Sequence, residues 1–165
     1  MGRLFCGDNL EILREYVAPE SVDLIYLDPP FNSNREFNVI FKDESGRGSD
    51  AQIVSFADFW HWGPTADNYY QYLTNSQEHG GAIPPRLSAI VAGLRTAIGK
   101  NQMMAYLVEM SVRLAHFHRV MKPTGSLYLH CDPTASHYLK LVLDAIFDPT
   151  NFRNEIIWKR SHGHN

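Results

Sequence analysis

The sequence has 165 residues, of which 44% are hydrophobic and 20% charged, and its formal net charge is −3 at pH 7. This length suits one domain or a part of a larger one, and the composition excludes wholesale disorder. The slightly acidic balance excludes a small basic protein that coats nucleic acid, so any contact with nucleic acid must come from a local basic patch.

The sequence also bears on the compartment. It has no apolar run near the roughly 18 residues of a membrane-spanning helix, and its first residues lack the basic and then apolar pattern of a secretory signal. We therefore expect no membrane partner. Cys6 and Cys131 make no disulfide framework, which favours a reducing cytoplasm.

The first elements follow from apolar spacing. Residues 4–6 form a short apolar run that predicts a strand. Apolar residues at spacings of three and four predict a helix over residues 10–17, preceded by Asp8 as a capping residue. Residues 22–27 are almost continuously apolar, which is typical of a strand covered on both faces in an α/β protein.

The middle of the chain is predicted to be irregular. Residues 32–63 are rich in Asn, Ser, Asp and Gly, and a loop of this length is usually functional or mobile. Four aromatic residues at its end form either a small satellite core or an aromatic wall beside a nucleobase site: Phe56, Phe59, Trp60 and Trp62.

The second half predicts three helices and two strands. One helix begins at Pro85 and closes at Gly99, and a second runs from Met103 to Met121 and ends at the segment 122–125. Residues 126–131 and 154–158 are strand candidates. The amphipathic segment 134–147 predicts a helix with these residues directed inward: Tyr138, Leu141, Val142, Ala145 and Ile146.

This alternation of strands and helices indicates an α/β fold with a mainly parallel sheet. Ligands in such sheets bind beyond the carboxyl ends of the strands. Three segments lie at predicted strand ends: Gly7-Asp8, residues 28–31 and residues 130–132.

The segment Asp28-Pro29-Pro30-Phe31 has the chemistry of an amine pocket. The Asp28 carboxylate and the Pro29 carbonyl accept hydrogen bonds, and proline contributes no N–H donor. Phe31 offers a flat face on which a base can stack. These groups fit an exocyclic amine on a base extruded from a duplex, although a lone Asp-Pro-Pro is commonly just a turn after a strand.

Asp28-Pro29-Pro30-Phe31 resembles motif IV, [DNS]-P-P-[YFW], of the S-adenosylmethionine-dependent amino methyltransferases. Three further runs resemble the DNA adenine-N6 or cytosine-N4 enzymes that carry motif IV near the N-terminus: residues 7–10 with 21–32, residues 119–130 and residues 154–160. The resemblance covers most of the chain, and residues 32–100 only loosely, as a loop or helical insertion.

The resemblance implies a Rossmann-like class I methyltransferase sheet and S-adenosylmethionine as cofactor. It implies that Asp28 and Pro29, followed by Pro30, hold the target amine, and that Phe31 stacks on the flipped base of double-stranded DNA. Asp8, with Asn9, resembles the site that contacts the adenine of the cofactor, although Asp8 also suits a plain helix cap. We expect Asp8, Asp28 and Phe31 to share one cleft.

Lys159 and Arg160 lead towards the region that contacts DNA in this family. A basic stripe on the predicted helix 103–121 is either a solvated face or a phosphate contact: Arg113, His116, His118 and Arg119. A zinc site from Cys131 and nearby histidines lacks the usual ligand spacing, so we expect no metal.

The family's glycine loop, resembling F-x-G-x-G after a strand, is missing from the sequence. The resemblance implies a strand order of 3-2-1-4-5-7-6, of which this chain supplies strands 3, 4, 5 and 6. We therefore expect an incomplete sheet, with the recognition region and the cofactor-loop half absent, or supplied by a second chain. Two alternatives stay open: a methyltransferase of RNA or protein amines, and a non-catalytic remnant or partner-dependent module.

Overall fold

The structure is a computed structural model that describes residues 2–29, 60–75 and 82–158. Within these ranges the chain forms an α/β arrangement of a helical layer and a small parallel sheet. The elements in chain order are α1 (Asn9–Tyr16), β1 (Val22–Leu27), α2 (Pro64–Thr74), α3 (Pro85–Ile98), α4 (Gln102–Val120), β2 (Met121–Leu129), α5 (Pro133–Phe147) and a short 3-10 helix (Pro149–Asn151).

The helices of the second half begin and end close to their predicted limits. Helix α3 starts at Pro85, whose missing N–H costs nothing at a helix start. It stops at Gly99, whose φ of 76° lies in the left-handed region that glycine adopts without strain. Helix α4 begins after Asn101, whose side chain accepts a hydrogen bond from the backbone N–H of Met104.

Helix α4 is the centre of the helical core. Five successive residues, Met104 to Val108, are buried, so this part of the helix is enclosed on all sides. Helices α1, α2, α3 and α5 all contact it. The core of the described chain is therefore a layer of helices built around α4, and burial of its apolar side chains is the main stabilising term.

The sheet consists of β1 and β2, paired in parallel, with Leu27 opposite Leu129. One face packs on the helical core through Ile25, which is buried. The other face is open, with Leu24 59%, Tyr26 62% and Tyr128 49% exposed. The expectation of a strand covered on both faces is therefore wrong within the described residues, and the apolar run in β1 signals a second layer that they do not supply.

Helix α4 passes directly into β2 without a loop. Residues 22 to 24 of β1 face residues 121 to 126 of β2, so the pairing is interrupted by a bulge. Pro123 lies in this bulge, where its missing N–H removes no ladder bond. The sequence therefore predicts the end of α4 within one residue, but the segment 122–125 belongs to the strand that follows.

Residues 4–6 and 154–158 do not form strands. Their large apolar side chains are mostly exposed, including Leu4, Ile157 and Trp158. The prediction of strands in these two segments is therefore wrong within the described residues, because a segment without a hydrogen-bonding neighbour has no ladder to join.

The inward face of α5 agrees with the predicted one at four of five positions. Val142 and Ile146 are buried, and Tyr138 and Ala145 are partly buried against the core. Leu141 is 45% exposed, so its prediction is wrong, and Leu139 is buried in its place. Among the described helices, none combines the length and the apolar character that a bilayer crossing needs.

Candidate functional site at the carboxyl ends of the strands

Asp28 follows the last residue of β1, and its side chain is exposed. Pro29 is half-buried beside it. The structure thus puts an acceptor-only carboxylate and a proline carbonyl at the carboxyl edge of the sheet, as the sequence predicts. Pro30 and Phe31 lie outside the described residues, so their roles remain predictions.

His130 lies next to Asp28 across the sheet. Its backbone N–H donates to the carbonyl of Leu27 at 2.9 Å, which continues the pairing of β1 and β2 by one step. Its Nε2 forms a hydrogen bond with the Tyr26 hydroxyl, and the two rings are 5.0 Å apart. Tyr26 is not among the site residues predicted from sequence, although strand alternation places it on the same face as Asp28.

The strand-end residue Asp132 is the N-cap of α5. Its Oδ1 accepts hydrogen bonds from the backbone N–H of Ala135 at 3.0 Å and from the Thr134 hydroxyl at 2.7 Å. This pairing satisfies a free N–H group of the first turn. Of the predicted segment 130–132, His130 therefore faces the candidate site and Asp132 has a structural partner.

Asp8 caps α1 and also contacts α4. Its Oδ1 accepts a hydrogen bond from the backbone N–H of Leu10 at 2.7 Å, which confirms the predicted cap. Its Oδ2 lies 2.9 Å from Nη2 of Arg113. Asn9 accepts a hydrogen bond from Nε of the same guanidinium at 3.1 Å. Both candidate cofactor residues are thus held by one arginine.

Helix α1 is tied to the start of the sheet through α4. The backbone N–H groups of Glu20 and Ser21, just before β1, donate to the carbonyls of Arg119 and Val120 at the end of α4. Whether Asp8, Asp28 and Phe31 share one cleft stays a prediction, because Phe31 lies outside the described residues.

Asp8 offers hydrogen-bond acceptors and Asn9 a donor, which are the groups that the adenine of the expected cofactor, S-adenosylmethionine, would need. Both residues are exposed, and the Asp8 carboxylate keeps lone pairs beyond the two contacts described above. The Asn9 amide keeps its NH2 group, since its oxygen faces Arg113. A carboxylate beside an amide NH2 complements an amino group beside a ring nitrogen, so these two residues would hold the adenine end of the cofactor.

The predicted basic stripe of α4 is a contact between helices, and both interpretations of it from sequence are wrong for most of its members. Arg113 pairs with Asp8, and Arg119 donates to the carbonyls of Leu13 and Val17 at 2.6 and 3.3 Å. His116 accepts a hydrogen bond from Nε of Arg14 at 3.2 Å. These side chains therefore attach α1 to α4.

Burial changes the pKa values of two side chains on α4, His116 and Glu109. Burial of the ring, with the positive charges of Arg14 and Arg119, lowers the pKa of His116 to about 4. Burial also raises the pKa of the Glu109 carboxyl, although the nearby Arg113 favours its charged form. His116 is therefore neutral at pH 7, as an acceptor from Arg14 must be.

Two of the four clustered aromatic residues fall in the described part. Trp60 packs edge-on against Tyr106 with 5.3 Å between ring centroids, and Trp62 donates a hydrogen bond to Asp67 at 2.8 Å. Both pack against the helical core. These contacts favour the satellite core, while Phe56 and Phe59 lie outside the described residues.

The basic residues Lys159 and Arg160 also lie outside the described residues.

The described ranges contain no cluster of three or more histidine, cysteine, aspartate or glutamate side chains arranged to hold a metal ion. Burial, reinforced by the charges of Asp132 and Glu155, raises the pKa of the Cys131 thiol. This thiol is therefore a poor nucleophile near neutral pH, because the thiolate is the reactive form.

A family model described as DNA methylase matches residues 22–165, so the chain belongs to this family of DNA methyltransferases, whose members serve in restriction and modification. The chain is similar to the StyLTI Mod subunit of a type III restriction-modification enzyme from Salmonella typhimurium, with 28% identity over 157 residues, which cover 93% of this chain and 20% of that protein.

Further relatives include the type III EcoP15I Mod subunit of Escherichia coli, at 26% identity over 98% of this chain and 21% of that protein. The type II methyltransferase M.KpnI of Klebsiella pneumoniae is 24% identical over 96% of this chain and 27% of that protein. The chain thus spans between about a fifth and about a quarter of these relatives. No solved structure gives a significant match.

Proposed function

We propose that residues 1–165 are the catalytic part of a site-specific DNA methyltransferase that modifies the exocyclic amine of a flipped base, most directly adenine N6. The observation that carries this proposal is the exposed Asp28, followed by Pro29, at the carboxyl end of β1 in a chain of the DNA methylase family. Aspartate at the first position of the motif favours adenine N6 over cytosine N4.

The chemistry required of this chain is the preparation of a poor nucleophile. The lone pair of an exocyclic amine is delocalised into the ring. The Asp28 carboxylate and the Pro29 carbonyl accept hydrogen bonds from the two N–H groups of the amine. These bonds stabilise the pyramidal nitrogen of the transition state. S-adenosylmethionine supplies an activated methyl group when bound. Direct transfer needs no thiolate, in agreement with the raised pKa of the Cys131 thiol.

The insertion at about 32–100 belongs to the same catalytic unit in this proposal. Helices α2 and α3 fall within it, and both contact α4. Leu73 and Leu87 of these two helices are fully buried in the common core. The Rossmann-like assignment is supported by the parallel pairing of β1 with β2, which the expected strand order places side by side.

The open sheet face favours one alternative, a partner-dependent module. Leu24, Tyr26 and Tyr128 form an apolar surface that a further layer would cover in a doubly wound sheet. In that case residues 1–165 would methylate DNA only together with a segment carrying the F-x-G-x-G loop, supplied by a longer chain or a second one.

The test is Asp28→Ala in the full-length protein, assayed by transfer of a tritiated methyl group to DNA. Loss of an oriented acceptor should lower the rate about 100- to 1,000-fold, by analogy with loss of one oxyanion-hole donor, and leave cofactor affinity nearly intact. Asp23→Ala is the matched control, because Asp23 is an exposed aspartate within β1 that pairs with Lys122 and lies away from the carboxyl end of the strand. Activity of Asp28→Ala within twofold of the unsubstituted protein would contradict the role.

A further inference from the structure

We propose that Arg113 is a positioning residue, which orients Asp8 and Asn9 so that they present one hydrogen-bond acceptor and one donor to the Watson–Crick edge of the cofactor's adenine. This inference rests on the proposed function, in which S-adenosylmethionine is the methyl donor. Arg113 touches neither the cofactor nor the target base in this assignment. It acts through the two residues that do.

The guanidinium of Arg113 is fixed from three sides. Its side chain is 14% exposed. Nη2 lies 2.9 Å from Oδ2 of Asp8, and Nε lies 3.1 Å from Oδ1 of Asn9. Nη1 donates to the backbone carbonyl of Glu109 at 3.2 Å and lies 3.5 Å from its carboxylate. A planar group held at all three nitrogens has little freedom to rotate.

This arrangement decides which end of the Asn9 amide faces outward. Arginine has donors and no acceptor, so it must contact the oxygen of the amide. The NH2 group of Asn9 therefore points away from Arg113 and is available as a donor. Without Arg113 the amide is free to turn over, because its two ends are nearly equal in size.

The adjacent Asp8 supplies the complementary acceptor. Oδ1 is held by the backbone N–H of Leu10 and Oδ2 by Arg113, which fixes the plane of the carboxylate. Its side chain is 43% exposed, so free lone pairs remain accessible. Adenine presents an amino donor beside the N1 acceptor, and hypoxanthine presents a carbonyl acceptor beside an N1–H donor. The pair Asp8 and Asn9 therefore matches adenine and opposes hypoxanthine.

The same helix contact contains a natural control. Arg14 of α1 donates to His116 of α4 and so helps to attach the two helices. It makes no described hydrogen bond to Asp8 or Asn9. Loss of the Arg14 contact disturbs the packing of α1 on α4 without changing the orientation of the Asn9 amide.

The experiment compares S-adenosylhomocysteine with S-inosylhomocysteine, which carries hypoxanthine, by calorimetry on the full-length protein. We expect the unsubstituted protein to prefer the adenine compound by about 10- to 100-fold, the discrimination of one well-formed pair of hydrogen bonds. Arg113→Met should reduce this ratio about tenfold, since Asn9 can then turn its oxygen towards the ligand. Arg14→Met should leave the ratio unchanged.

A second variant keeps the test valid if Arg113→Met does not fold. Arg113→Lys keeps the charge and most of the packing but cannot hold Asp8 and Asn9 with one planar group, so the ratio should also fall. If the Arg113 variants weaken both compounds equally and leave the ratio unchanged, the role is merely structural and the proposal is overturned.

Whether the unsubstituted protein methylates DNA distinguishes failure of the positioning role from failure of the proposed function. A protein that methylates DNA but does not discriminate between the two compounds refutes the positioning role alone. A protein that neither binds S-adenosylhomocysteine nor methylates DNA overturns the proposed function together with this inference.

Discussion

His116 makes the stability of the helical core dependent on pH. Its pKa is lowered from 6.5 to about 4, first by burial of the ring and then by the charges of Arg14 and Arg119. Between these two values the unfolded chain binds a proton that the folded chain does not. The free energy of unfolding contributed by this site is therefore complete above pH 6.5 and falls as the pH decreases towards 4.

The magnitude follows from the two pKa values. At pH 5 the His116 site has lost about 2 kcal/mol of its contribution to the free energy of unfolding, at about 1.36 kcal/mol for each pH unit below 6.5. His116 is half-buried, so solvent screening reduces the expected loss to about 1 kcal/mol. The added proton goes to Nε2, the atom that accepts the hydrogen bond from Arg14, so protonation removes that bond and places a positive charge beside the Arg14 guanidinium.

The perturbation is His116→Gln, which removes the titrating group and keeps an acceptor for Arg14. Urea unfolding at pH 7.5 and pH 5.0 should show that the variant loses about 1 kcal/mol less on acidification than the unsubstituted protein. His118→Gln, two residues further along α4 at an exposed position, is the control and should not change the difference. Equal pH dependence in all three proteins would refute the reasoning.

Three further predictions concern the bulge, the DNA contact and the cofactor. Gly125→Ala should destabilise the fold in urea unfolding, because a Cβ there would lie 2.5 Å from Cγ of Met121 and 3.2 Å from the carbonyl oxygen of Asp23. Gly93→Ala in α3 is the control, because a Cβ there meets no atom within 4 Å. It should raise the free energy of unfolding by about 0.5–1 kcal/mol. Replacing Lys159 and Arg160 by alanine should weaken DNA binding evenly across sequences and reduce the slope of log affinity against log salt by about 2; an unchanged slope would exclude phosphate contacts. Residues 1–165 alone should show no low-micromolar binding of S-adenosylmethionine in calorimetry, since the sequence carries no F-x-G-x-G-type run; tight one-to-one binding would reveal a cofactor site of another kind.

The elements that could be predicted from sequence are those whose signals are local. Helices α3 and α4 were delimited by Pro85, Gly99 and the spacing of apolar side chains. The cap at Asp8 also depends on a neighbour two residues away. The exposure of the sheet could not be predicted, because an apolar run reports that a strand is suited to burial and does not report whether a covering layer is present.

The residues of the candidate site also differ in whether a local sequence signal reveals them. Asp28 and Asp8 were found because each follows a predicted strand and has a side chain with recognisable chemistry. The charge of Arg113 is evident from the sequence but its partner Asp8 is not, because the two residues of the ion pair are 105 positions apart in the chain. A contact at this separation leaves no periodic signal in a single sequence.

The parallel pairing of β1 and β2 has a consequence for the order of folding. Leu27 and Leu129 are about a hundred residues apart, so every hydrogen bond of the ladder closes a long loop, at an entropic cost that grows with the logarithm of its length. The helices form from local contacts, and α3 and α5, which lie near α4 in the sequence, can pack against it before β1 pairs with β2. We expect the backbone amides of β1 to gain protection later than those of α4 in pulsed hydrogen exchange; the opposite order would show that the strands nucleate folding. The edge that carries Asp28 would then be the last part of the molecule to become ordered, and catalytic competence would mark the completion of folding.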